Sequence, residues 1–425
     1  MISLFIFKSS SRGMQYGIGT YIHELTRALL QFPDINIFLV SYRIIDSNEF
    51  AIREISGRFC EINIPETLFP VVQNNNFDKK YAASVVRLIS DKIPRNGQII
   101  LQFNYIDDLP IIMKLKEGLD FPVISIVHFA QWQQLFNGNR RKIRGLNIDE
   151  PSNNIEFTLS QERELYRISD HIVSVTSYMR DFLINEYGIE PEKISVIQNG
   201  LDDSKYKPVS EREKADLRKR LGFSENDIII LFSGRIDPSK GVIFLMEAFE
   251  NASGMNDNLR LVLMGQGSTY DCQKKLKSSF GKVVYTGFLE KELVNSFYKV
   301  ADIGIVPSIY DHCPYTVLEM IANKIPVIAS RTNGLDELLD ESSCFFIDPQ
   351  ISNEGDITFS ISEISSAMVT LAENRVLREK LANCAYNLFK EKFLSSRMAG
   401  EMNNLYLSLA GCYKITAGYE KTERT

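Results

Sequence analysis

Residues 303–330 read IGIVPSIYDHCPYTVLEMIANKIPVIAS, and the spacing of apolar positions in this stretch decides the fold. Residues 303–306 form a short apolar run of the kind that fills a strand covered on both faces. Pro307 and Ser308 interrupt it. From 315 to 323 the apolar positions Val317, Leu318, Ile321 and Ala322 recur at helical spacing. Residues 326–329 read as the next buried strand. A helix that opens just past a strand end presents unpaired N–H groups and the positive end of its dipole, which suits a phosphate. Two acids flank this helix start, Asp311 on the loop and Glu319 in the helix, with seven residues between them. At about 1.5 Å of rise per residue, Glu319 sits about one turn behind the helix start. One acid then faces what lies ahead of a bound phosphate, the other what lies beside it.

Working outward, the same alternation recurs in both halves of the chain. Residues 2–7, 35–40, 98–103, 123–127 and 171–175 are strand candidates, and 18–30, 81–92, 156–168 and 178–186 read as helices between them. Such alternation predicts a parallel sheet covered on both faces, with ligands beyond the carboxyl ends of its strands. Residues 195–202 run as a strand into the turn Asn199-Gly200, where both residues tolerate positive φ. The polar stretch 203–214 reads as a linker, a hinge about which two domains close. A second alternation starts at Asp227, with strands at 228–232, 261–264 and 283–286 and a helix over 290–300. After Phe346 the chain reads as helical, at 364–372, 376–392 and 398–409, with a polar, frayed tail from Thr416.

Several strand ends carry candidate site residues. The strand at 228–232 ends in SGRIDPSKG, which places Gly234, Arg235 and Lys240 at its carboxyl end and Pro238 in a first helical turn. The two cations either bind a polyanion or face solvent. The loop from Lys8 ends in QYGIGTY, where Gly17 and Gly19 let backbone N–H groups approach an anion or a sugar. His128 follows the strand at 123–127, at the edge where a site lies; His23 and His171 read as structural. Gly265 and Gly267, and Gly287 before Phe288 and Leu289, close two further strands. The segment 131–154 is loop-rich. It carries Trp132 and the basic run Arg140, Arg141, Lys142 and Arg144, read as a solvated face, an acceptor-side loop or a contact with anionic headgroups. Glu337 reads as a surface acid.

Asp311, seven residues and Glu319, followed by MIANKIPVIAS, resemble the E-x7-E signature of the retaining family-4 glycosyltransferases. The resemblance implies the GT-B fold: two Rossmann-like, doubly wound α/β domains facing across a cleft, with a C-terminal helix crossing back to the first. SGRIDPSKG is similar to that family's G-R-x4-K-G motif, which implies that Arg235 and Lys240 neutralise a diphosphate leaving group, where charge grows in the transition state. By the same resemblance, amides at Tyr315, Thr316 and Val317 meet the donor diphosphate and Glu319 holds the ribose. Asp311 lies near the donor sugar, and His128 contacts it. Gly17, Gly19, Asn199, Gly234, Gly265, Gly267, Phe288 and Leu289 complete the implied donor site. The chain departs from the family at Asp311, one methylene shorter than Glu, and at His312 and Cys313. It departs also at Tyr16 and Thr20 in the glycine loop, at Phe129 after the histidine and at Gln198 before Asn199.

Composition bounds the function. The 425 residues are 44% apolar and 24% charged, ordinary for a soluble protein of two domains, and a net charge of −6 argues against a nucleic-acid binder. Six scattered cysteines without a C-x-x-C pair fit reduced thiols in a cytoplasm. The MISLFIFK start reads as a buried strand rather than a secretory segment. The expected organisation is a first, acceptor-side domain over 1–203, a nucleotide-sugar domain over 204–392, a crossover helix over 393–415 and a tail over 416–425. The expected activity is transfer of a sugar from a UDP- or GDP-linked donor to a hydroxyl on a glycan, lipid-linked or peptide acceptor. No metal or other cofactor is expected, and the expected location is cytoplasmic, with peripheral membrane contact among the options. The alternatives are a non-catalytic sugar-binding or scaffold subunit and a nucleotide-sugar epimerase or hydrolase.

Overall fold

A computed structural model describes residues 1–10, 17–66, 75–90, 92–94, 97–117, 121–206 and 209–412. Tyr16 and the expected tail therefore lie outside the described residues. In chain order the first lobe contains β1 (Ile2–Ser9), β2 (Ile35–Ile44), β3 (Ala51–Ser56), β4 (Phe59–Pro65), β5 (Gln98–Phe103), β6 (Val123–Val127), β7 (His171–Ser174) and β8 (Ile194–Val196). In space they run β3-β4-β2-β1-β5-β6-β7-β8, parallel throughout except for the antiparallel edge strand β3. The second lobe contains β9 (Ile228–Ser233), β10 (Leu259–Met264), β11 (Val283–Gly287), β12 (Ile303–Val306), β13 (Val327–Ser330) and β14 (Cys344–Ile347). Their order is β11-β10-β9-β12-β13-β14, all parallel. This is the doubly wound arrangement in which the strand order reverses between the first and fourth strands. The reversal falls between β9 and β12 in the second lobe and between β1 and β5 in the first.

The strands are continuous apolar runs because helices cover both faces of each sheet. Leu4, Phe5 and Ile6 of β1 and Ile230 and Leu231 of β9 are fully buried. The final helix, Ser395–Cys412, buries Met398, Ala399, Met402, Tyr406 and Ala410 in one core with Ile2, Leu4, Tyr21 and Leu25 of the first lobe. Gln98 Nε2 donates to the Ala410 carbonyl at 2.9 Å, and the Tyr406 hydroxyl donates to Gln102 Oε1. The chain enters this helix beside the hinge, where Leu201 N–H donates to the Phe393 carbonyl (2.8 Å) and Ser395 N–H donates to the Leu201 carbonyl (3.0 Å). Among the described residues no helix is long and apolar enough to cross a membrane.

Three local expectations are corrected. The linker at 203–214 is half helical, because Ser210 and Glu213 form a reciprocal capping box that starts the helix Glu211–Arg220. Two strands come in addition to the expected ones: β4, where Cys60, Ile62 and Ile64 alternate with polar Glu61 and Asn63, and its edge partner β3, whose residues are mostly exposed. The segment after Phe346 first forms an antiparallel hairpin, β15 (Pro349–Ile351) with β16 (Ile357–Phe359), and only then the helices Ile361–Glu373 and Arg375–Lys392. The segment 131–154 is not loop-rich throughout. It opens with the helix Gln131–Phe136, and Trp132 is fully buried against the Phe182 ring.

Candidate functional site

The turn after β9 and the loop after β12 lie side by side, since their strands are hydrogen-bonded neighbours. Asp237 accepts from Ser239 N–H (2.9 Å) and shapes the turn Pro238–Lys240. Pro238 takes the first position of this short 3-10 helical turn, and Gly241, at φ +65°, separates the turn from the helix Val242–Met255. A Cβ at Gly241 would lie 1.9 Å from the Pro307 carbonyl oxygen, so only glycine lets the two loops close on each other. Ile309 N–H completes the lacing by donating to the Ser239 carbonyl at 2.8 Å. In consequence Lys240 Nζ lies 2.6 Å from Asp311 Oδ2, and the same oxygen accepts from Ser308 Oγ at 3.3 Å. Arg235 pairs with Asp237 at 3.3 Å and keeps a side chain 45% exposed.

The helix Tyr315–Ala322 begins after Pro314, and no side chain caps it. Thr316 lies on its first turn, with Tyr315 and Val317 buried beside it. Glu319 accepts a hydrogen bond from the Tyr298 hydroxyl at 2.7 Å. Burial pushes its carboxyl up to about 7, with the Tyr298 hydrogen bond opposing. Gly265 is needed for steric reasons. Its Cβ would fall 1.8 Å from the Gly234 carbonyl oxygen, where the ends of β9 and β10 meet. Gly267 N–C backbone pairs with Ile236 in the same crossing. Phe288, 51% exposed, and the partly buried Leu289 follow β11 at the far edge of this sheet.

The first lobe faces these groups. Gly17 and Gly19 open the helix Gly17–Leu29, and Gly17 is exposed, with open space among the described residues where a Cβ would stand. His128 follows β6 and meets the Tyr21 ring edge-on at 4.7 Å. Burial drives its imidazole down to about 3, so the ring is neutral, and its Nε2 has no partner among the described residues. The hydroxyls of Tyr21 and Tyr315, one from each lobe, are likewise buried without a described partner. Asn199 is used between the lobes: its Nδ2 donates to the Cys313 carbonyl at 2.7 Å and its N–H to Cys313 Sγ at 3.2 Å.

Other cross-lobe contacts were not legible in the sequence. Glu337 is no plain surface acid: its two carboxylate oxygens accept from Ser177 N–H and Tyr178 N–H, each at 2.7 Å, at the start of the helix Ser177–Tyr187. His312 bonds Gln133 and Thr176 of the first lobe. The basic run stays exposed at Arg141, Lys142 and Arg144, yet three of its cations are also partnered. Arg140 pairs with Glu186 (2.6 Å), Arg141 donates to the Asn353 carbonyl (2.5 Å) and Lys142 pairs with Asp356 (3.2 Å). Asn139 Nδ2 adds bonds to the Glu354 carbonyl (3.0 Å) and Asp356 (2.9 Å), fastening the β15–β16 hairpin to the first lobe. The hairpin lies in the stretch after Phe346 expected to be helical, so the spacing gave no sign that it would meet Arg141 and Lys142.

Comparison with known proteins agrees with this geometry. Residues 16–205 match the Glycosyltransferase Family 4 family and residues 213–382 match Glycosyl transferases group 1. An uncharacterized glycosyltransferase of Methanocaldococcus jannaschii is 27% identical over 243 residues, which is 56% of this chain and 60% of that protein. The chain thus spans less than two thirds of that relative's length. The mannosylfructose-phosphate synthase of Agrobacterium fabrum is 25% identical over 338 residues, 74% of this chain and 71% of the relative. In structure, sucrose-phosphate synthase from Thermosynechococcus elongatus superposes with a TM-score of 0.77 at 18% identity, covering 97% of this chain and all of the other. Anabaena HepE, solved with UDP-glucose, gives 0.70 at 15% identity over 96% of this chain and 99% of its own. The fold is GT-B, and with both lobes matching such families the chain is a glycosyltransferase of the GT-B, family 4 and group 1 type.

Proposed function

We propose that this protein transfers a hexosyl group from a nucleotide-diphosphate sugar to an acceptor hydroxyl with retention of anomeric configuration. The supporting observation is the laced pair of loops at the strand-order reversal, which sets Lys240 and Asp311 beside the uncapped start of the Tyr315–Ala322 helix. In this reading the second lobe, residues 204–392, holds the donor. Arg235, Lys240 and the first helical amides meet the diphosphate, and Glu319 accepts a hydrogen bond from a ribose hydroxyl. Negative charge grows on the diphosphate as the bond from the anomeric carbon to its phosphate oxygen breaks. Fixed cations and N–H donors stabilise that charge without reorganising. The acceptor oxygen attacks from the face the diphosphate leaves, and its proton passes to the departing phosphate oxygen. Because the acceptor attacks the anomeric carbon directly, the proposal needs no protein nucleophile, and it includes no cofactor; Asp311 is held in an ion pair with Lys240. Neutral His128 offers its unpartnered Nε2 to a sugar hydroxyl from the first lobe, residues 1–203, which with the crossover helix over 393–415 forms the acceptor side. A cytoplasmic setting agrees with the five described cysteines, all free thiols.

A panel of UDP- and GDP-linked sugars, screened first by thermal shift and then by nucleotide release, tests this reading. Release that depends on an added sugar acceptor is the expected result. Equal release without acceptor would establish hydrolysis instead, and tight donor binding without release would establish a sugar-binding subunit.

A further inference from the structure

His312 stands next to Asp311 and is 7% exposed. Its backbone N–H donates to Asp311 Oδ1 at 3.1 Å, while its ring leaves the second lobe altogether. Ring Nε2 lies 2.8 Å from Gln133 Oε1 and ring Nδ1 lies 3.3 Å from Thr176 Oγ1, both in the first lobe. The proton positions follow from the neighbours. Ala130 N–H donates to Gln133 Oε1 at 3.4 Å, which fixes that amide oxygen toward the ring. Thr176 Oγ1 accepts from Met179 N–H at 3.2 Å as the cap of the Ser177–Tyr187 helix, so its own proton points to His312 Nδ1. The ring is therefore neutral, with its hydrogen on Nε2. One residue thus holds the Asp311 carboxylate with its backbone and the opposite lobe with its side chain.

We propose that His312 is a positioning residue for transfer: its neutral ring, bonded to Gln133 and Thr176, docks the Asp311–Lys240 loop on the first lobe and sets the closed cleft. The proposal rests on the transferase reading for its effect on turnover, but not for its effect on closure. The ionisable groups around the ring are Asp311, which raises its affinity for a proton, and Lys240, which lowers it, with the Tyr178 ring stacked at 6.0 Å and Glu337 fastened to the Ser177 and Tyr178 amides. Burial is the largest influence and holds the imidazole down at about 4 in the closed cleft. An imidazole released to solvent titrates near 6.5, so below that pH closure weakens, by about tenfold for each further unit until the closed-state value is reached.

Closure has a readout that does not need turnover. The Ser177 and Tyr178 amides are held by Glu337 across the cleft, so their hydrogen exchange reports whether the lobes are docked. In His312→Ala, exchange at these two amides should quicken by about tenfold or more, the amides of β9 and β12 should keep wild-type rates, and kcat/KM should fall by about 10- to 100-fold. Affinity for the free nucleotide diphosphate should stay unchanged. In His312→Gln, whose amide places an N–H donor near the ring Nε2 position, exchange and turnover should recover and the acid limb between pH 6.5 and 5 should disappear. Unchanged exchange in the alanine variant would overturn the proposal. So would a general rise across both lobes with a lowered Tm, or a glutamine variant as defective as alanine. If no donor is turned over by the wild type, the transferase reading fails while the exchange comparison still decides the role of His312.

Discussion

Lys240 is the side chain whose removal is most informative, because two separate consequences can be told apart. It contacts Asp311 at 2.6 Å, with side chains only 20% and 14% exposed. Lys240→Ala removes a fixed cation from the diphosphate clamp, and loss of one such donor costs about 3–4 kcal/mol of transition-state stabilisation, or 10²- to 10³-fold in kcat. It also strands the Asp311 carboxylate, which keeps only Ser308 Oγ and its neighbour's N–H as partners. An incompletely satisfied, mostly buried acid costs about 1–3 kcal/mol. For a lobe of this size that corresponds to a fall in Tm of about 2–12 °C. The double variant Lys240→Ala/Asp311→Asn removes the stranded charge, so its Tm should return toward wild type while turnover stays low. Scanning calorimetry and initial rates of nucleotide release on the three proteins separate the two effects. Recovery of turnover in the double variant would refute the argument, since Lys240 would then serve only to neutralise Asp311. Wild-type turnover in the single variant would remove the clamp entirely.

Gly241→Ala should destabilise the second lobe by more than about 3 kcal/mol in urea titration, because its Cβ would overlap the Pro307 carbonyl at 1.9 Å and neither backbone segment is free to move. Glu319→Gln should weaken nucleotide binding by about tenfold in calorimetry, through loss of the charged acceptor. The same variant should gain stability progressively as the pH rises from about 4.5 to 7, and by a constant amount above that. The folded carboxyl sits near 7 against an ordinary value of 4.5, so ionising it costs nothing below about pH 4.5, progressively more up to 7, and a constant amount beyond. The raised value corresponds to a gross 3 kcal/mol or so, which cleft solvent screens to about 1–2 kcal/mol. A Tm gain at pH 8 with none at pH 4.5 is the expected pattern, and an equal gain at both would contradict it.

The sequence by itself determined the architecture. Buried parallel strands read as apolar runs, as at residues 303–306 and 228–232, and helices between them show a 3.6-residue period, as at 315–322. Those patterns are local, so they survive being read one residue at a time. The candidate positions on the second lobe come from the same reading: Arg235, Lys240 and Asp311 follow strand ends, Glu319 lies in the helix that comes next, and a doubly wound sheet gathers such positions at one edge.

Only the tertiary structure decided how the lobes meet. Glu337 and Ser177 are 160 residues apart, and His312 and Gln133 are 179 apart. No periodicity or capping pattern links such pairs, because a helix N-terminus already capped by Thr176 gives no sign that a distant carboxylate also serves it. The basic run at 140–144 carried its charge in plain view, yet the partners of Arg141 and Lys142 lie on a hairpin whose short, half-exposed strands left no signal. Charge and polarity are properties of residues, but pairing depends on which surfaces the fold brings together, and that depends on the whole packed chain.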